Sequence, residues 1–391
     1  MLISYTAILL AGCFQLQSFG EALAIFERGL DNSEAQDEAL HSTNVTDDAS
    51  SVYAKRAVTD ILYQNGASPE MKFVSTPEGY QAWHMEDYAF QAGAGSGVTV
   101  YVHDSGINID HDEFTWDAPP GVTKGTVSWL YPTLGLLKKR PKPISDPIGH
   151  GTCVADKIVG QAFGIAKGAN LKMVPFVDIS DSGWMEAGLE IIIKDIKAGR
   201  KNDKDYQAVV NLSYQYSANM GQKELDGYRK RIKQLVELDA VIVIAAGNSG
   251  QHGKTSVNRY PALFALEFPD IIVVGSVDID GLPSKFTQGG SLVKISAPGT
   301  VSSAAGSSSQ GFGIQCASST DNSDIVRKEG TSFSAPTVAG LAAYLLSIQP
   351  ALRHTGQVAQ RVKAKIISLG YTRRSGGLHS IWNGLSGQIN C

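Results

Sequence analysis

Residues far apart in the chain carry side chains suited to acyl transfer. In EGTSFSAPTVAG, residues 329–340, Ser332 stands just ahead of an apolar helical run. Alone, the segment reads as a helix start: Thr331 or Ser332 would cap free N–H groups, while Val338, Leu341, Ala342 and Leu345 supply an apolar face. Three details go beyond capping. Pro336 lacks the N–H that would reach the Ser332 carbonyl. Gly330 and Ala335 keep the surroundings of the hydroxyl small, and a helix N-terminus adds N–H groups and positive potential beside it. His150 opens a helix in DPIGHGTCVADKIVG, Asp104 closes an apolar strand in VYVHDSGINIDHDEF, and Asn248 ends VIVIAAGNSG. Singly these read as a helix cap and two turn formers. Together they fill every role of acyl transfer from a serine. Ser332 would attack a carbonyl and His150 would take and return its proton. Asp104 would hold the imidazole, while the Asn248 amide and the Ser332 N–H would stabilise the oxyanion.

The elements needed to bring these residues together are legible as alternating patterns. Strand-like runs cover 98–104, 170–178, 207–214, 240–248, 271–278 and 292–298, and helical runs cover 150–162, 183–199, 220–239, 332–349 and 355–368. This alternation predicts an α/β fold, a doubly wound, mostly parallel sheet with helices on both faces. Asp104 and Asn248 then fall at carboxyl ends of strands, where such sheets bind ligands. Residues 57–391 read as one domain without a linker, and SSAAGSSSQGFG (302–313) as a surface loop.

The N-terminal part reads as processing sequence. Residues 1–24 fit a secretory signal cleaved after Gly20 or Ala24. Residues 25–56 fit a short acidic propeptide ending in Lys55-Arg56, where a processing protease would cut. Removing 1–56 leaves a nearly neutral chain, which gives no argument for nucleic acid or an anionic membrane surface. With Cys13 gone, Cys153, Cys316 and Cys391 remain. The expected pair is Cys316 with Cys391, leaving Cys153 as a packed free thiol beneath His150. Asn44 fits a glycosylation acceptor, and Asn211 fits one but lies in a strand. The chemistry needs no cofactor or metal; Asp110, Asp112 and Glu113 alone do not define a calcium site.

The motifs VHDSGI, GHGTCVA, AAGN and GTSFSAP resemble the Asp, His, oxyanion and Ser motifs of subtilisin-like serine proteases, in the family's order, from about Met71 to Asn390. The resemblance implies a secreted, monomeric endopeptidase with its triad at the carboxyl edge of the sheet. It also implies that Ser213, Tyr214 and Gln215 pair with an extended peptide substrate, opposite an edge at Asp181, Ser182 and Gly183, with Ala246 and Gly247 beside Asn248. Several positions depart from the family's pattern. Gln215 replaces a glycine that admits the substrate side chain, so the pocket is expected to be partly filled. Cys153 and Asp156 replace a histidine and a glycine, Asp156 being expected to face solvent. Glu329 replaces a small or amide residue. The acidic segment of about 30 residues is too short and polar to be the folded prodomain common in the family. Two alternatives stay open: a protease-fold binding protein or effector that has lost turnover, and a processing protease of narrow specificity.

Overall fold

The computed structural model describes residues 61–119, 121–132, 145–176, 182–216, 220–302 and 313–389. The expected signal, propeptide, Lys55-Arg56 site, Asn44 and Cys391 lie outside these, as do Asp181 and nearly all of the loop expected at 302–313. The described part begins with β1 (Ile61–Asn65), α1 (Pro69–Val74), β2 (Asp87–Gln91), β3 (Val98–Asp104), α2 (Asp112–Thr115) and β4 (Val127–Trp129). It continues through α3 (Gly151–Val159), β5 (Asn170–Pro175), α4 (Ser182–Asn202), β6 (Gln207–Leu212), α5 (Gln222–Glu237), β7 (Val241–Ala245), β8 (Ile272–Val277) and β9 (Val293–Pro298). The rest comprises β10 (Ile314–Ala317), β11 (Ile325–Lys328), α6 (Thr331–Ile348), α7 (Val358–Leu369), β12 (Tyr371–Thr372) and β13 (His379–Ser380).

The central sheet runs β12-β13-β9-β8-β7-β6-β3-β5-β4 and is parallel except at β12–β13. It is the doubly wound α/β sheet that the strand–helix alternation implies. From β3 the chain first builds outward through β5, then returns to add β6 on the other side of β3, so the winding reverses at Asp104. Such a reversal opens a crevice at the carboxyl ends of the strands.

Strand parity divides the core into two layers, because alternate residues of a strand face opposite sides. Val98, Val100 and Val102 pack with Val154 and Ile158 of α3 and with Val338, Leu341 and Leu345 of α6. Tyr101 instead joins Leu189, Ile192 and Ile196 of α4 and Ile232 and Leu235 of α5. Asp104 has the parity of Val100 and Val102, so its carboxylate emerges on the side that α3 and α6 cover. These are the helices whose N-terminal ends carry His150 and Ser332.

Helix α6 is long and apolar enough to cross a membrane by composition, yet 83% of it is buried inside the fold. A helix that is apolar all round is a core helix here, crossed by β6, β7 and β8 beneath it. Two antiparallel strand pairs, β1–β2 and β10–β11, have no counterpart among the strands expected from sequence. Both are short, and the burial of β11 alternates at an exposed edge, which gives little apolar signal.

Candidate active site

Asp104 is fully buried, and its Oδ1 accepts hydrogen bonds from Ser105 N and His150 Nδ1, both at 2.7 Å. His150, at the N-cap of α3, keeps 28% of its side chain exposed. A proton on Nδ1 directed at a carboxylate leaves Nε2 as the acceptor. Burial pulls the imidazole pKa down, but the charge and hydrogen bond of Asp104, helped by Asp146, outweigh it and hold the group above its ordinary value; Lys328 opposes them.

The turn that presents His150 is built by residues that the sequence reading passed over. Asp146 is buried; its Oδ1 accepts from Gly149 N (2.9 Å) and Ser105 Oγ (2.8 Å), and its Oδ2 from Thr152 N and Oγ1 (both 2.8 Å). Ser105 Oγ in turn accepts from Gly151 N at 3.0 Å. The available signal was an aspartate four residues ahead of a helix-start histidine, a capping pattern.

Ser332 is the second residue of α6 and is partly exposed among buried neighbours. Neither Thr331 nor Ser332 caps the helix as expected; the N-cap is Gly330, without a side-chain cap. The cap comes from across the cleft. Asn248 Oδ1 accepts from Thr331 N (2.9 Å) and Thr331 Oγ1 (2.8 Å), and Thr331 Oγ1 accepts from Gly247 N (3.1 Å). With its oxygen engaged twice, the carboxamide presents Nδ2 toward Gly330. A Cβ at Gly330 would stand 3.2 Å from Asn248 Nδ2 and 3.7 Å from Ser332 N, so this glycine, at φ +149°, leaves open the space between two N–H donors. An oxyanion there would meet both.

The expected substrate-binding residues divide. Ser213, just past the end of β6, is buried and its Oγ accepts from Asn211 Nδ2 at 2.9 Å; Asn211 itself is buried in that strand. Tyr214 turns into the α4/α5 layer, edge-on to His103 and Phe176 and with its hydroxyl on that of Tyr228. Its side chain is a core group, so only its main chain is free for the pairing that the resemblance implies; its parity matches Leu212. Ser182 and Gly183 form the first turn of α4 rather than a strand edge, and Gly183 is exposed.

Gln215 lies across Ala246 and Gly247, its Nε2 reaching Ala246 O (3.3 Å) and Gln288 Oε1 (3.4 Å). Gln288 is itself held by Ser256 O (2.7 Å) and Asn258 Oδ1 (3.1 Å). A Cβ at Gly247 would stand 2.0 Å from Gln215 Nε2 and 2.2 Å from Gln288 Oε1, so the two amides fill the space over this glycine. Gln288 carried no sequence signal, being brought in from a distant turn.

Two further expectations are corrected. Cys153 is not a free thiol: it bonds Cys316 across 163 residues, with Cα atoms 5.1 Å apart, because β10 lies on α3. Asp156 does not face solvent; it is fully buried, with Oδ2 accepting from Ala317 N at 2.7 Å. Burial, then the neighbouring Glu113, pushes its pKa well up, against the opposing charge of Lys157. Glu113, one of the acidic residues weighed for calcium, is buried and accepts from Ala162 N at 2.7 Å. Glu329 is exposed, with Oε1 accepting from Thr300 Oγ1 at 2.6 Å.

Residues 95–373 match the Subtilase family. The chain is 33% identical over 272 residues to Subtilisin-like protease 1 of Pseudogymnoascus destructans, covering 69% of this chain and 56% of that protein. It is 31% identical over 265 residues to Subtilisin-like protease 2 of Trichophyton verrucosum, covering 67% and 53%. The chain thus spans about half the length of the curated relatives it matches. Among solved structures it resembles a cold adapted subtilisin-like serine proteinase, with a TM-score of 0.58 over 83% of this chain and 99% of that one; at 23% identity, this likeness shows the fold.

Proposed function

This chain belongs to the Subtilase family, and we propose on that premise that it is a serine endopeptidase working through an acyl-enzyme on Ser332. The observation that carries the reading is the 2.7 Å bond between buried Asp104 and the partly exposed His150, which turns Nε2 outward as a base. In this mechanism Ser332 Oγ attacks the scissile carbonyl while its proton passes to His150 Nε2, and the imidazolium is stabilised by Asp104. The carbonyl oxygen gains negative charge between Asn248 Nδ2 and Ser332 N, donors already aimed and needing little reorganisation. As the tetrahedral intermediate collapses, His150 returns the proton to the leaving amine. Water then repeats the sequence on the acyl-enzyme. The substrate is an extended peptide, read through main-chain bonds beside Ser213 and Gln215.

The same reading takes residues 1–24 as a secretory signal, 25–56 as a propeptide removed at Lys55-Arg56, and the mature enzyme as secreted and monomeric. Gln215 lying across Gly247 favours narrow rather than broad side-chain acceptance. The test is labelling of the processed protein with a fluorophosphonate, beside a Ser332→Ala control. Labelling confined to the unsubstituted protein is expected. A folded, processed protein that resists labelling would favour the binding-protein alternative.

A further inference from the structure

The leaving half of a substrate departs past the group that protonates it, which in the proposed mechanism is His150. The residues gathered beside His150 therefore meet the segment that follows the scissile bond. Gly149, immediately before it, packs against hairpin β10–β11: a Cβ there would stand 2.8 Å from Ser319 Oγ and 3.4 Å from Lys328 Nζ. Lys328 ends β11, four residues ahead of Ser332, and is half-buried. Among the described residues it makes no ion pair. Its chain neighbour Glu329 is turned to Thr300. The other charges acting on His150, Asp104 and Asp146, are buried; Asp146 accepts through both carboxylate oxygens and Asp104 through Oδ1. Lys328 is thus a half-buried cation without an ion pair among the described residues, close to the histidine that would protonate the departing amine.

We propose that Lys328 selects substrates with a carboxylate side chain just after the scissile bond, and disfavours a cation there. This rests on the endopeptidase reading above. The physical basis is a charge pair formed at a half-buried site, worth more than one in open water and weakened by salt. The same cation opposes protonation of His150, which provides a second, independent readout.

The experiment uses internally quenched peptides that differ only in the residue after the cleaved bond, carrying Glu, Gln or Lys, and compares kcat/KM. The expected order is Glu, Gln, Lys, with about a fivefold to tenfold spread between the extremes at low salt. The spread should shrink as ionic strength is raised. Lys328→Glu should reverse the order and Lys328→Met should flatten it. With the Gln peptide, Lys328→Met should also move the acid limb of kcat/KM to higher pH, a shift that a change in packing alone would not produce. Fluorophosphonate labelling of each variant verifies that the nucleophile is assembled. Cleavage without discrimination, or an order unchanged by Lys328→Glu, overturns the assignment of Lys328 alone. Failure to cleave any peptide, with no labelling of Ser332, overturns the endopeptidase reading and this one with it.

Discussion

Asn248 turns its amide toward Gly330 and Gln215 lies over Gly247, and truncating them should have opposite consequences. Asn248 Oδ1 is anchored by Thr331, so Asn248→Ala removes a fixed donor that matters only once charge develops on the carbonyl. A loss in kcat of about 3 kcal/mol with KM nearly unchanged is expected, a magnitude taken over from oxyanion-donor removal in a related serine protease. A rise in KM at constant kcat would show that the amide binds substrate instead. Gln215→Gly should leave kcat for a small side chain nearly unaltered and admit larger ones, since Gln215 and Gln288 together occupy the space over Gly247. A peptide library cleaved in an identical profile by both proteins would place Gln215 outside the pocket. Both residues can be found by their motif context, but Gln288 cannot: no local pattern connects it to Gly247, and only the folding of a distant turn brings it there.

Hairpin β10–β11 connects the parts of the site that strand parity alone would leave independent. Its strand β10 is tied to α3 by the Cys153–Cys316 bond and by Ala317 N donating to Asp156. Gln315 N donates to Glu70 Oε1 at 2.8 Å, and Glu70 pairs with Lys157 of α3 at 3.3 Å. The turn between the strands holds the segment after Asp104, through Asn108 Nδ2 on Asp321 O (3.1 Å) and Asp112 N on Asn322 O (2.7 Å). Strand β11 then leads through Gly330 into Ser332. Replacing both cysteines with serine should therefore cost about 2–4 kcal/mol of stability and lower kcat more than it raises KM. Urea unfolding and steady-state kinetics on the same preparation check this. Unchanged kcat with reduced stability would make the bond a brace without influence on the site.

At the scale of the molecule, the layer under α3 buries Glu70, Glu113, Asp156, Lys157 and Lys167, an unusual density of charge for a core. Burial lowers the Lys167 pKa to about 8, and it raises that of Asp156 well above its ordinary value. A carboxyl group whose folded pKa lies above its unfolded one contributes stability that is complete below the unfolded value and is lost as pH rises toward the folded value. Asp156→Asn keeps an acceptor for Ala317 N and a donor for Glu113 while removing that titration. The variant should match the parent near pH 4 and exceed it in Tm near about pH 8. A Tm difference that is the same at both values would mean that Asp156 is ionised in the fold.

Sequence by itself determined the alternation of strands and helices, hence the parallel sheet covered on both faces, and it placed Asp104, His150, Asn248 and Ser332 at element ends. Those features are local: runs of buried β-branched residues, glycines at turns, and a polar residue where an apolar run stops. Tertiary structure alone decided which cysteine meets Cys316, that Asp156 is buried, that Tyr214 belongs to the core, and that Thr331 serves Asn248 instead of capping its own helix. Each of these depends on what packs against a residue from another part of the chain. The fold brings together segments more than 150 residues apart, as the 163-residue span of the disulfide shows, and no local pattern encodes which side chain will stand opposite.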